Sequence, residues 1–317
     1  MFKRIVLSTL VGISANAYAL SPVDYESNGE QFTTEQLLPQ KATRSEKYEI
    51  KIAFMYLNVL NQAQADDVID KMIVATNQAF DNSGIPAYVS KTFVQPWDGG
   101  NDADLEAMDI HQMYNQIRAP IFSMWNKDGL MKRTQSDVFF LIDDRKEGDD
   151  DACGISHRPN LFELQNHTDN PDMYGIVRTG VGCYVHSYNL AHELGHIMGM
   201  AHDYYNARGS ATPYGYGWTC AGRGTIMAYF FPRHQFYSNP DIIIDGEKCG
   251  NEETANNSRL GRETVKYVSM NNSTGNPNVP VKKKKGGSID WVAIVALLGL
   301  RKIKSILFPV NNTKNLI

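Results

Sequence analysis

The chain is short of three things. It has little net charge: 31 Lys and Arg against 35 Asp and Glu in 317 residues give −4. That balance excludes nucleic acid or an anionic membrane surface as the main partner. It has no long hydrophobic run, since its two apolar stretches, at residues 5–13 and 291–300, fall below the roughly 20 residues that span a bilayer core comfortably. It is poor in cysteine, with four in all, the first being Cys153. There is no internal repeat either, which excludes solenoids and propellers. What remains is an ordinary globular composition, 42% hydrophobic, enough for one sizeable core and a small attachment.

The two apolar stretches sit near the chain ends. Met1-Phe2-Lys3-Arg4 is a basic start, residues 5–13 are apolar, and Ala17-Tyr18-Ala19 has the small-x-small form of a cleavage site. This is the pattern of an export signal over residues 1–19, cleaved after Ala19. Residues 20–44 are polar and aperiodic, as expected of a short pro-segment or a loose arm. Residues 271–285 are a linker rich in Asn, Pro and Gly that ends in Lys282 to Lys285. Gly286-Gly287-Ser288, the apolar run WVAIVALLGL and the basic Arg301, Lys302 and Lys304 follow. Segment 286–304 resembles the Gly-Gly C-terminal sorting tails of Gram-negative bacteria, which implies a transient stay in the inner membrane before cleavage. A plain membrane anchor and an amphipathic docking helix are the alternatives, and residues 305–317 extend past the usual basic stop. Both ends point to an exported protein, secreted or held at the cell surface. In an oxidising compartment an even cysteine count implies two disulfides. Of the three pairings, Cys153–Cys183 with Cys220–Cys249 is preferred, because each closes a loop beside the site described below.

Residues 48–57 (YEIKIAFMYL) are rich in β-formers and partly alternating, which predicts a strand. Residues 66–80 carry apolar side chains at helical spacing, with Asp66 and Asp67 suited to the N-terminus and Gly84 past the end. A second strand is expected over 85–94 and a helix over 105–126, which Pro120 must kink or divide. DVFFLID at 137–143 reads as a buried strand. This alternation argues for an α/β domain with a largely parallel sheet over residues 45–270. The acidic run 143–151 reads as a solvated surface turn, and its spacing gives Ca2+ binding no support. Residues 187–199 predict one helix. An irregular region rich in Gly, Tyr and Pro runs from there to about residue 244, and a final helix is expected over 252–268.

His192 and His196 stand four apart on the helix expected over 187–199. That spacing puts both imidazoles on one face, a turn apart, so both can reach one ion. Gly199 can end the helix in a left-handed conformation and turn the chain back, bringing His202 to the same ion. Three neutral histidines leave a fourth position open, as in a catalytic zinc site rather than a closed structural one. Glu193 lies beside a zinc-bound water without ligating the metal. It is suited to take the water's proton as general base and to pass it to the leaving amine. A bare His-Glu-x-x-His arises by chance in about 1% of chains this size. Gly199 and His202 at fixed offsets lower that by orders of magnitude.

The whole run HELGHIMGMAH resembles the metzincin clan of metalloproteases. Thr225-Ile226-Met227-Ala228-Tyr229 looks like the Met-turn of that clan. The likeness implies that Met227 lies beneath the histidines and that Tyr229 approaches the metal or stabilises the tetrahedral intermediate; a core methionine and a packed aromatic are the ordinary alternatives. Asp203, directly after the third histidine, is similar to the adamalysin/reprolysin branch. The strand at 50–56, Ser83-Gly84-Ile85, Cys153-Gly154-Ile155 and Phe236-Tyr237-Ser238-Asn239-Pro240 resemble bacterial reprolysin-like proteases, the group that includes peptidyl-Asp metalloendopeptidases. The resemblance covers about residues 48–270. It implies a twisted, mostly parallel sheet with an antiparallel edge strand begun at Cys153-Gly154-Ile155, able to pair with extended substrate backbone.

The expectation is a secreted, monomeric zinc endopeptidase acting on proteins or peptides. A zinc-containing adhesin or binding module, or another zinc hydrolase, is the alternative; an intact Glu193 argues against mere binding. Some positions depart from the family. No cysteine precedes Cys153, which excludes a thiolate–zinc latency switch, and Ile197 stands where Asn is usual. No residue settles the side-chain pocket. Arg223 or Arg233 could supply a cationic wall, though surface arginine is the simpler reading of both.

Overall fold

A computed structural model describes residues 47–272, with breaks at 58–59, 99–103, 106, 126–128, 146–151, 167–169, 181–182, 184–187, 208 and 210–211. The expected signal, pro-segment, sorting tail and tail extension, and all but the first two residues of the linker, lie outside the described residues. So does most of the acidic run.

Strand β1 (Tyr48–Tyr56) carries the core. From Ile52 to Tyr56 no side chain is more than 3% exposed. A strand covered on both faces belongs in the middle of a parallel sheet, and β1 lies there. It pairs in parallel with β2 (Ala87–Pro96) on one side and β3 (Val138–Asp143) on the other. β4 (Gly154–Ser156) lies at the edge and runs antiparallel to β5 (Tyr174–Arg178), which is itself parallel to β3. The order β2-β1-β3-β5-β4 is an α/β sheet, mostly parallel, with an antiparallel edge strand. Every residue of β3 is buried, which is why it reads as an unbroken apolar run. Its last residue corrects one expectation. Asp143 is not part of a solvated turn but fully buried, with Arg145 Nε at 2.7 Å and Arg178 Nε at 3.3 Å.

Helix α1 (Gln62–Ser83) starts a turn earlier than its acidic pair suggests. Asn61 Oδ1 accepts from Gln64 N at 3.0 Å, and Gln64 Oε1 accepts from Asn61 N at 3.0 Å. This reciprocal cap satisfies two otherwise unpaired donors, and Asp66 and Asp67 instead meet Lys91 and Lys71. Helix α2 (Ile110–Met124) is shorter than expected because Asp109 and Gln112 form the same kind of cap. Pro120 does not divide it. The donor missing at Pro120 would have bonded the Gln116 carbonyl, and Gln116 is exposed, so water can serve that oxygen.

Two short helices, α3 (Leu130–Thr134) and α4 (Leu161–Asn166), precede α5 (Asn189–Ile197). α5 packs against α1, β4 and β5. Instead of a wholly irregular stretch, three small ladders follow. β6 (Ala201–Asp203) pairs with β7 (Tyr216–Gly217), β8 (Thr219–Cys220) with β9 (Arg223–Gly224), and β10 (Asn239–Ile244) with β11 (Glu247–Cys249). The last helix, α6 (Asn257–Val268), begins at the Asn256 cap rather than near residue 252. Asn251 Oδ1 accepts from Glu253 N and Thr254 N, a side-chain turn that competes with helix there.

Disulfides join Cys153 to Cys183 and Cys220 to Cys249, with Cα separations of 5.2 and 5.1 Å. Among the described residues no helix is long and apolar enough to cross a membrane.

Candidate active site

All nine residues of α5 are buried, so the helix runs through the core rather than along the surface. His192 and His196 lie on one face, with ring centroids 4.9 Å apart. The helix ends at Ile197, shorter than the 187–199 reading at both ends. Gly199 has φ +88°, a conformation that costs glycine no Cβ clash. The chain reverses there, Met200 N donates to Gly195 O at 2.9 Å, and β6 carries His202 back over the helix.

The ring orientations are fixed by backbone carbonyls. Nδ1 of His192 lies 2.8 Å from Ile226 O, and Nδ1 of His196 lies 2.9 Å from Met200 O. A carbonyl only accepts, so both Nδ1 atoms carry the proton and both Nε2 atoms present lone pairs. These face His202 Nε2 at 3.1 Å from His192 and 2.9 Å from His196. The ligand atoms of all three lie within 4.8 Å of one another. A tetrahedral zinc with nitrogens at about 2.0–2.1 Å would separate them by roughly 3.3 Å. The donor set and spacing therefore fit such an ion. Burial is the first cause that lowers all three histidines: His196 to about 3, His202 to about 4, and His192 well below its ordinary value. The Arg233 charge and the neighbouring rings add to it, so the rings are neutral near pH 7. Cys220, His234 and Cys249 form a second cluster with metal-ligand spacing, but the disulfide ties up both sulfurs.

Glu193 is 3% exposed and its carboxyl is framed by the edge strand. Ser156 Oγ lies 2.8 Å from Glu193 Oε2 and 2.9 Å from Glu193 O, and donates to them. Gly154 lies against Oε1, and any Cβ there would strike that oxygen. Side chains alternate along a strand, so Gly154 and Ser156 share the face that meets Glu193. Sequence reading named the strand but missed Ser156; the i, i+2 spacing from Gly154 is the signal it offered. Burial raises the Glu193 carboxyl to about 8, against the lowering effect of Ser156 and Arg233.

The Met-turn segment closes the site from below. Gly195 faces it, and a Cβ on Gly195 would come 2.5 Å from Met227 Sδ, so Met227 lies directly under the histidine helix. Asp203 does not face the metal position. Its Oδ2 accepts from Tyr229 N at 2.9 Å and its carboxyl also accepts from Asn206 Nδ2. Burial acts to raise Asp203, but these bonds hold it below the usual carboxylate range. Tyr229 is half exposed, its ring centroid 4.0 Å from that of His202. Arg233 corrects the surface reading, being only 7% exposed, whereas Arg223 is exposed.

A histidine depressed on folding binds fewer protons folded than unfolded at pH values between its folded value and about 6.5. The histidines therefore act to lower the stability of the chelator-treated protein as pH drops through that window, by about 2 kcal/mol at pH 5 for each one whose folded value lies below 5. The raised Glu193 and Asp137 carboxyls act the other way. Added zinc, binding only the folded site, should raise stability at both pH values. Denaturant titrations at pH 7 and pH 5 compare the chelated wild type with His202→Asn. The variant should lose less stability on going to pH 5, and an equal loss in the two proteins contradicts the histidine contribution.

With the geometry in place, comparison with known proteins adds a family. A reprolysin-type sequence profile of metallo-peptidase family M12 matches residues 51–238, which include the three histidines, Glu193, Ser156, Met227 and Tyr229. Peptidyl-Asp metalloendopeptidase of Stenotrophomonas maltophilia (strain K279a) is 38% identical over 89 residues, 25% of this chain and 21% of its own length. The protein of the same name in Xanthomonas campestris pv. campestris is 36% identical over 89 residues, 25% of this chain and 20% of its own. The chain thus spans about a fifth of the length of these curated relatives. A chain in a solved structure titled "Structure of a chaperone-substrate complex" superposes with a TM-score of 0.54 at 19% identity, over 72% of this chain and 35% of that one. Likeness at that identity speaks to fold alone. The profile covers more than half of the sequence, and the chain belongs to metallo-peptidase family M12.

Proposed function

We propose that the chain is an exported zinc endopeptidase. The observation that carries this is the convergence of three Nε2 lone pairs from His192, His196 and His202 beside the buried Glu193 carboxyl. A zinc ion held there would supply Lewis acidity and lower the pKa of bound water toward 7. The protein's own groups do the rest. Glu193 accepts a proton from the attacking water at Oε1, the oxygen beside Gly154, while Ser156 holds Oε2 in place. Burial raises this carboxyl and a bound cation would lower it, a balance suited both to taking that proton and to releasing it to the leaving amine. The Tyr229 phenol, whose ring centroid is 4.0 Å from that of His202, is the group proposed to meet negative charge that develops on the scissile carbonyl oxygen. Among the described residues β4 pairs only with β5, which leaves its other edge for an extended peptide to add as a further strand. Both curated relatives are named for aspartyl peptides, which makes a bond adjoining Asp the first substrate to try.

Export rests on the N-terminal basic, apolar and Ala17-Tyr18-Ala19 pattern, and transient membrane retention on the Gly-Gly tail. The mature exported protein is expected to start at Leu20, read by N-terminal sequencing; an intact Met1 contradicts export with cleavage.

Cleavage of casein or a peptide library tests the activity. The wild type should cleave, and a zinc chelator should abolish cleavage. Glu193→Ala should bind zinc, measured by metal analysis, yet lose at least about a thousandfold in kcat/KM. Equal cleavage by both proteins rules out Glu193 as the base. A zinc-loaded wild type that cleaves no peptide instead favours a binding module.

Ser156→Ala should lower kcat roughly tenfold with KM little changed, because it loosens the base and not the substrate. Ser156→Thr keeps the hydroxyl and should recover most of the loss. A change confined to KM would place Ser156 in substrate binding instead.

A further inference from the structure

We propose that the Cys220–Cys249 disulfide closes a second zinc site. In the dithiol form of the chain Cys220, Cys249 and His234 bind Zn2+, and formation of the disulfide expels it. The inference goes beyond the endopeptidase reading and does not depend on it.

The three side chains come from separated pieces of chain. Cys220 ends β8, Cys249 ends β11, and His234 lies 14 residues past Cys220. Their sulfur and ring-nitrogen atoms lie within 4.8 Å of one another, and none of the three residues is more than 5% exposed. Hydrogen bonds that owe nothing to the disulfide hold them there. Trp218 Nε1 donates to Lys248 O at 3.1 Å, and Ala221 N donates to Glu247 Oε2 at 2.7 Å. These two bonds join β8 to β11 from either side of Cys220. Gly224 N donates to Pro232 O at 3.0 Å, and His234 N donates to Gly224 O at 2.7 Å, which ties His234 to the β8–β9 hairpin. The His234 ring stacks on Phe236 with centroids 4.8 Å apart, and its Nε2 lies 3.1 Å from Cys220 O. This frame remains when the sulfur–sulfur bond is broken.

A tetrahedral zinc with Zn–S at about 2.3 Å sets two sulfurs roughly 3.8 Å apart, and a sulfur and an imidazole nitrogen roughly 3.5 Å apart. The sulfurs can part to that distance by rotation about each Cα–Cβ bond, from Cα atoms 5.1 Å apart. Two thiolates and an imidazole are a soft donor set suited to zinc, with a fourth position left for water. The two negative charges outweigh that of Arg223, which reaches His234. Closure balances as an exchange with a disulfide oxidant of the oxidising compartment. The zinc-bound thiolates give up two electrons, the Cys220–Cys249 bond forms, and the oxidant's own sulfur–sulfur bond breaks. The oxidant leaves as two thiolates, and Zn2+ departs. Oxidation then leaves His192, His196 and His202 to take the metal.

The test compares the full chain before and after anaerobic reduction by a phosphine, which takes the oxygen of water as the two thiols form. Metal analysis should find about one zinc per oxidised chain and about two per reduced chain. With Co2+ as the probe, the thiolate-to-metal absorption should appear only after reduction, since the three-histidine site holds no sulfur. His234→Gln should weaken the thiolate-bound ion at least about tenfold, whereas Cys153→Ser with Cys183→Ser should leave it in place. In the reduced chain zinc should slow alkylation of Cys220 and Cys249 by at least about tenfold, read by peptide mapping. A reduced chain that shows no thiolate absorption and no such protection overturns the proposal, whether or not reduction has unfolded it. Absorption that survives His234→Gln at full affinity, or that vanishes with Cys153 and Cys183, overturns it as well.

Discussion

The hydrogen bond from His192 Nδ1 to Ile226 O is the contact on which the rest of the site depends. It joins the buried helix to the Met-turn, and it decides which ring nitrogen holds the proton. With Nδ1 committed, Nε2 has only its lone pair to offer, and the metal position follows. The same logic repeats at His196, whose Nδ1 is held by Met200 O just past the helix end. Gly199 turns the chain between that carbonyl and His202. Asp203 then closes the ring by accepting from Tyr229 N. Helix, reversal, Met-turn and third ligand form one hydrogen-bonded circuit, with Met227 filling its centre against Gly195. Shared carbonyls and a shared floor make displacement of any one ligand a disturbance to the others, as supporting contacts around metal ligands generally do.

The sheet supplies the second half of the site. β4 is three residues long and, among the described residues, pairs on one side only, with β5. Its short length leaves both its free edge and its inward face at the active site. The inward face holds the Glu193 carboxyl through Gly154 and Ser156. On the proposed endopeptidase reading, a peptide added along the other edge would lie against the strand that positions Glu193, so recognition and proton transfer would share one rigid element. Beneath the helix, Tyr237 stacks on Phe80 at 5.9 Å between centroids and donates its hydroxyl proton to Ala191 O at 2.6 Å. That bond fixes the helix one residue before His192 from the side of α1.

What the sequence made legible followed from local rules. The histidine spacing, the glycine at the reversal and the parallel sheet each depend on periodicity within a few residues, and each can be read without a fold. The helix starts were misread because a cap is a side-chain event. Asn61 with Gln64, and Asp109 with Gln112, outrank acidic pairs or apolar periodicity in setting where a helix begins. Ser156 and Arg233 were misjudged for a different reason. Ser156 is 37 residues from Glu193, and nothing in a one-dimensional pattern pairs them. Arg233 looks like a surface arginine because most arginines are. Its burial comes from the clamp at Gly224 and the stacking on Phe231, both products of tertiary folding. Asp143 shows the converse error, since an acidic run suggested solvent where the first carboxylate of the run is buried between two arginines.

Arg233 also poses an electrostatic question that the three histidines alone do not. A buried cation beside a site suited to a divalent metal works against metal binding, since like charges in a low-dielectric interior repel strongly. Its charge adds to burial in lowering the histidines and so keeps their lone pairs available. On Glu193 the two act in opposite senses, burial raising the carboxyl and the Arg233 charge lowering it. A cation bound at the three Nε2 atoms would act on Glu193 in the same sense as Arg233 and draw it further toward its ionised form. An arrangement that looks unfavourable for a metal alone is favourable where a buried carboxylate must be held ready to accept a proton.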